Sequence, residues 1–169
     1  MAVDDFAIRT GALPLFNIRA AGLTQPSLMQ PIMEHESTDP VERGGAAADV
    51  FRVLCLCAEW CGTCREYRPG FLALAAQFPN VRFGWIDIED RADDMGDLDI
   101  ENFPTLLILR GERVLFFGTM LPHVGHLQRT IEVFVAQGED ESLAYANSDN
   151  ERRSWQNNAD LRHLGGLDL

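Results

Sequence analysis

All four cysteines of the chain fall within ten positions, in the stretch LCLCAEWCGTCREYRPG at residues 54–70. Such a cluster offers three chemistries: a redox pair with two bystanders, a four-thiolate metal site, or small apolar side chains in a buried strand. Cys61 and Cys64 form a Cys-x-x-Cys between an apolar run and a segment with helical spacing. At the head of a helix, unpaired backbone N–H groups and the helix dipole favour a negative charge on the first thiol. The spacing of three brings Cys64 to the same side, within reach of S–S bond geometry. Cys61 is thereby suited to attack a substrate disulfide, and Cys64 to resolve the mixed disulfide that forms. Against this, Cys55, Cys57, Cys61 and Cys64 supply enough ligands for zinc, with His123 and His126 in reserve. A metal site, however, wants converging loops, whereas Cys55 and Cys57 belong to an apolar run. Cys55 reads as a small core residue; Cys57 reads either so or as a third thiol.

The elements that must position these thiols follow from periodicity. VFRVLCLCA, from Val50, is a short apolar run that predicts a buried strand. Residues 61–78 predict a helix, with Tyr67, Phe71, Leu74 and Phe78 at helical spacing and Pro69 as a kink. VRFGWIDIE predicts a second strand, and ADDMGDLDI a short acidic helix or turn. PTLLILRGERVLFFGT divides at Arg110-Gly111-Glu112 into a hairpin, and PHVGHLQRTIEVFVAQ predicts a closing amphipathic helix. A parallel pair joined by a crossover helix, then an antiparallel hairpin, makes an α/β fold: a central mixed sheet flanked by helices.

Three divisions are expected. Residues 1–49 hold four of the eight prolines and read as a mostly irregular extension, with the first strand and helix of the fold as its alternative content. Residues 50–137 are the domain. Residues 138–169 are polar and acidic without a sustained apolar stripe; they read as a removable flexible tail, or as a docking segment using Trp155, Leu161 and Leu164.

Composition excludes several function classes. The net charge of −12 is spread over the three parts without a basic patch, which argues against nucleic acid. There is no lysine, so amine nucleophiles are unavailable. No stretch reaches the roughly 18 apolar residues of a membrane span. MAVDDFAIRT carries two acids where a secretion signal would be basic, and a cytoplasmic protein is expected. Clustered cysteines there point to redox or metal chemistry more than to stapling. EDRADDMGDLD holds six carboxylates but lacks calcium-loop spacing and reads as a solvated face. His123 and His126 read as surface or capping residues.

With these residues in hand, the segment AEWCGTCR resembles the active-site segment of the thioredoxin family, Trp60 preceding the first cysteine. Pro69 matches the family's helix-kinking proline, and NFPT its cis-proline loop. The resemblance spans residues 50–137. It implies a thioredoxin-like fold, a redox-active Cys61–Cys64 disulfide, and a substrate groove of Trp60, Phe103, Pro104, Thr105 and Gly118. A Pro104 facing the dithiol would also block metal coordination. The implied function is thiol–disulfide oxidoreductase, acting on protein disulfides with electrons from a reductase or thiol pool and with no cofactor. Three departures stand out. Thr63 replaces the usual proline between the cysteines; Cys57 replaces an aromatic residue; Cys55 replaces the buried aspartate, while its companion lysine aligns with Trp85. The family assigns that aspartate proton transfer at the resolving thiol. Its loss favours an alternative, a binding or redox-sensing module with slow turnover whose extensions recruit partners.

Overall fold

The computed structural model describes residues 50–169. The expectations for residues 1–49 lie outside the described residues.

Strand β1 (Phe51–Cys57) is enclosed on both faces, as its unbroken apolar run requires. Helix α1 (Gly62–Ala75) carries the chain over to β2 (Val81–Asp87), which lies parallel to β1. After the short α2 (Ala92–Met95), β3 (Thr105–Arg110) pairs antiparallel with β1. It folds back into β4 (Arg113–Thr119) through Gly111, whose φ of 59° a side chain would resist. The four strands lie in the order β2-β1-β3-β4, and α3 (Val124–Ala136) follows. The mixed sheet and the seven elements expected over residues 50–137 are therefore present.

Alternation along β1 divides the core. Val53, Cys55 and Cys57 face α1 and α3, meeting Cys64, Tyr67, Phe71, Leu74, Leu127 and Ile131. Leu54 and Leu56 face the other way, among Ile86, Met95, Leu107, Leu109, Leu161 and Leu164. The i, i+2 spacing thus aims both strand cysteines at the helix that carries the other two.

The last two core residues named belong to the segment expected to be a tail. Residues 138–169 instead form α4 (Glu139–Ala146), α5 (Asn150–Asn157) and α6 (Ala159–Gly166). Their starts are capped: Asp149 accepts from the Arg152 N–H, and Asn158 from the Asp160 and Leu161 N–H groups. Leu161 and Leu164 are fully enclosed against the sheet. Gly165 lies so close to β3 that an added Cβ would meet Leu109 Cδ2 at 2.7 Å. The Gln156 side chain donates to the Val114 carbonyl at 2.8 Å and accepts from its N–H at 3.1 Å. A thin apolar signal conceals helices that cover one face. Among the described residues, no helix is long and apolar enough to cross a membrane.

Candidate active site

Cys61 is the N-cap of α1, and its side chain makes no capping bond. Its own N–H donates to the Ala58 carbonyl at 3.0 Å, which turns the chain from β1 into the helix. Cys61 is partly exposed, whereas Cys64 is 1% exposed and Cys55 and Cys57 are fully enclosed.

The sulfur bonding differs from the expected pairing. Cys64 is joined to Cys57, with Cα atoms 6.0 Å apart, while Cys55 and Cys61 carry free thiols. The cause lies in the facing described above. Cys57 ends β1 on the side that the first turn of α1 covers, so Cys57 and Cys64 meet inside the core. Cys61, nearly one turn before Cys64 at the cap, is turned partly to solvent. The expected role of Cys55 as a core residue fits its complete enclosure; its Sγ lies 3.9 Å from that of Cys57.

The loop before β3 approaches this corner. The Phe103–Pro104 peptide is cis, Pro104 is buried, and its carbonyl accepts from the Met120 N–H at 3.2 Å. Thr105 is buried and donates to the Asn102 carbonyl at 2.7 Å. Trp60 projects, 63% exposed, with its ring edge-on to Phe103 at 5.6 Å between centroids. Gly118 lies two residues before Met120 with φ 151°. Trp60 and Phe103 are thus together; Thr105 and Gly118 meet at a separate cleft that also involves Phe117 and Thr119. His123 and His126 are exposed, their rings 5.6 Å apart, and His123 makes no side-chain cap.

The exchanged charge pair is visible in the register: Cys55 pairs with Trp85 across β1 and β2. Trp85 packs edge-on to Phe71 at 5.6 Å, and the Arg68 guanidinium lies 5.3 Å above its ring. A cavity of about 310 Å³ opens here, lined by Glu59, Cys64, Arg68, Leu72 and Trp85. Water on that side can reach the neighbourhood of Cys64. Burial pushes the Cys55 thiol far above its ordinary range, because a thiolate there would be desolvated. Tyr67 is pushed up too, by burial first and by Cys55 second, and its enclosed hydroxyl has no hydrogen-bond partner among the described residues.

These shifts have a sign in stability. Both groups stay protonated in the folded chain but ionise once unfolded, so stability is complete below the unfolded pKa values and falls as pH rises past them. Denaturant midpoints should decline from about pH 9, where an unfolded thiol ionises, and more steeply past about pH 10 as tyrosine joins. Cys55→Ala should flatten the first part of that decline; an unchanged slope would place the cause elsewhere.

Among the described residues, no three His, Cys, Asp or Glu side chains are grouped to hold a metal ion. The acidic run is partly engaged rather than wholly solvated. Asp94 contacts Arg91 at 3.2 Å and His163 of α6 at 2.9 Å, and the His163 contact is the main influence holding its carboxyl below the usual range.

The thioredoxin family model matches residues 46–121. Thioredoxin of Oryctolagus cuniculus is 33% identical over 70 residues, which are 41% of this chain and 67% of the relative. The chain belongs to the thioredoxin family. A thioredoxin H-type of Picea mariana is 34% identical over 53 residues, 31% of this chain and 42% of that protein. Thioredoxin of Chlamydia pneumoniae is 36% identical over 53 residues, 31% and 52% of the two chains. The chain thus spans about half the length of these two relatives. Among solved structures, the germline-specific thioredoxin Deadhead of Drosophila melanogaster is 25% identical. That likeness covers 52% of this chain and 84% of that one, with a TM-score of 0.46. What this thioredoxin-family chain departs in is local: Cys57 and Cys55 in β1, and Thr63 between the helix cysteines.

Accessibility sets the order of reaction. Limiting alkylating reagent on the native chain should modify Cys61 first, since the other three sulfurs are enclosed. Preferential labelling of Cys55 or Cys57, read by peptide mass, would contradict this arrangement.

Proposed function

We propose that the protein is a thiol–disulfide oxidoreductase that reduces or exchanges protein disulfides, with Cys61 as nucleophile and Cys64 as resolving thiol. The observation that carries the reading is the asymmetry of the two thiols: Cys61 is free and reachable at a helix N-terminus, and Cys64 is enclosed one turn behind it and able to form disulfides. In this scheme Cys61 attacks a substrate disulfide, one substrate sulfur leaves, and a mixed disulfide forms. Cys64 then attacks Cys61, the second substrate sulfur departs, and two electrons have moved from protein to substrate. Trp60, Phe103, Pro104, Thr105 and Gly118 form the proposed groove, where an extended substrate pairs its backbone with the loop before Pro104. Electrons return from a reductase or thiol pool. A cytoplasmic setting is consistent with free thiols at Cys55 and Cys61.

One observation favours a second reading, a redox-sensing or binding module with slow turnover: no carboxylate stands at position 55 to move the resolving proton. A coupled assay with a disulfide protein, a thioredoxin reductase and NADPH separates the two. Sustained turnover that is lost on alkylating Cys61 supports the oxidoreductase. A single stoichiometric burst would leave only the sensing module.

A further inference from the structure

The disulfide present in the structure is not the one the catalytic scheme uses. Cys57 closes β1 and Cys64 lies in the first turn of α1, both enclosed, while Cys61 stands free at the N-cap. We propose that Cys57 is a third redox residue, which takes Cys64 over from Cys61 so that the resting oxidised protein holds an internal Cys57–Cys64 disulfide and a free Cys61 thiol. The inference rests on Cys61 and Cys64 being the working pair and adds a second destination for their disulfide.

The step balances within the chain. The Cys57 thiolate attacks Cys64 Sγ; the Cys57–Cys64 bond forms and the Cys61–Cys64 bond breaks. Cys61 leaves as a thiolate and takes up the proton that Cys57 released. One disulfide and one thiol stand on each side, so no outside oxidant or reductant enters. Direction follows from placement. A disulfide is uncharged and suits the apolar face of β1, whereas the released thiol sits at a helix N-terminus with access to water. Cys55 is the sulfur next to Cys57, at 3.9 Å, and carries a free thiol beside the Cys57–Cys64 bond, so it stands outside the exchange.

The arrangement makes Cys61 a gate. Both bonded sulfurs are enclosed while Cys61 is partly exposed, so the favoured route of reduction is Cys61 attacking Cys64 Sγ and expelling Cys57. Oxidising equivalents are then stored where bystander thiols do not discharge them.

The peptide map decides the matter, because Glu59 lies between Cys57 and Cys61 and Glu66 follows Cys64. The full chain is oxidised with diamide, its free thiols are blocked with N-ethylmaleimide under denaturing, mildly acidic conditions, and it is cleaved after glutamate. A Cys57–Cys64 bond links two peptides and leaves Cys61 and Cys55 blocked; a Cys61–Cys64 bond closes peptide 60–66 on itself. The linked pair is expected from the unmodified chain, and the closed peptide from Cys57→Ala. In oxidised Cys61→Ser, dithiothreitol should reduce the internal disulfide at least about tenfold more slowly than in the unmodified chain, having lost its relay. A closed 60–66 peptide with blocked Cys57 in the unmodified chain would overturn the proposal, as would equal reduction rates. The linked pair without any turnover of a disulfide protein would uphold this site and remove the oxidoreductase reading. Turnover with the closed peptide would do the reverse.

Discussion

Deleting residues 138–169 should unfold the domain or leave it as an aggregating, molten species. The deletion removes Leu161 and Leu164 from the core cluster that they share with Leu54, Leu56, Leu107, Leu109 and Val114 of the sheet. It also strips Val114 of both bonds to Gln156. Truncating one fully buried leucine to alanine commonly costs about 2–5 kcal/mol, and Leu161 and Leu164 are both in that class. Their joint loss rivals the entire stability of a small domain, about 5–15 kcal/mol. Leu161→Ala and Leu164→Ala should each lower the urea midpoint clearly, with unchanged Trp fluorescence in the folded state. Leu143→Ala, from the same segment but 48% exposed, should change little. A truncated chain that still unfolds cooperatively at the full-length midpoint would show that α4 to α6 merely rest on the domain.

That result would also explain what the residues disclosed and what they hid. Elements over residues 50–137 were legible because their apolar side chains are dense and periodic: β1 is apolar throughout, and α1 repeats Tyr67, Phe71 and Leu74 at helical spacing. The C-terminal helices bury few side chains each. α4 encloses only Ser142 and Ala146, and α5 encloses none, so no stripe stands out against their charges. The visible signal of α5 and α6 was the capping chemistry of Asp149 and Asn158, two short helices announced by their starts instead of their faces. At the site, Cys-x-x-Cys at a strand-to-helix junction pointed to Cys61 and Cys64, and NFPT to the cis proline. The bond from Cys57 to Cys64 was not legible, because it depends on how far the end of β1 reaches beneath the first turn of α1. Spacing along the chain puts Cys61 nearer in sequence and says nothing of that overlap.

Placing an acid at position 55 should expose how the missing carboxylate matters. Cys55 is fully enclosed and faces Trp85 across the strands, so Cys55→Asp alone buries a charge with no partner built for it. We expect a loss of about 3 kcal/mol or more at neutral pH, in the range seen when one member of a buried pair is left alone. The sign follows from desolvation, which raises the folded carboxyl above its unfolded value near about 3.9. The penalty is therefore absent below about pH 4 and grows as pH rises toward the folded pKa. Adding Trp85→Lys should recover part of the loss by supplying the opposite charge, offset by the lost edge contact with Phe71. The kinetic consequence is the larger one. A carboxylate beside the cavity that Cys64 lines could accept the resolving thiol's proton. General-base assistance of this kind is commonly worth about 10²-fold or more. Stopped-flow of a preformed mixed disulfide at Cys61 should then show faster release in the double variant than in the unmodified chain. Equal rates would mean that another group already moves the proton. Glu59 would be the first to test, since it lines the same cavity as Cys64 and, being exposed, tolerates replacement by glutamine without a folding penalty.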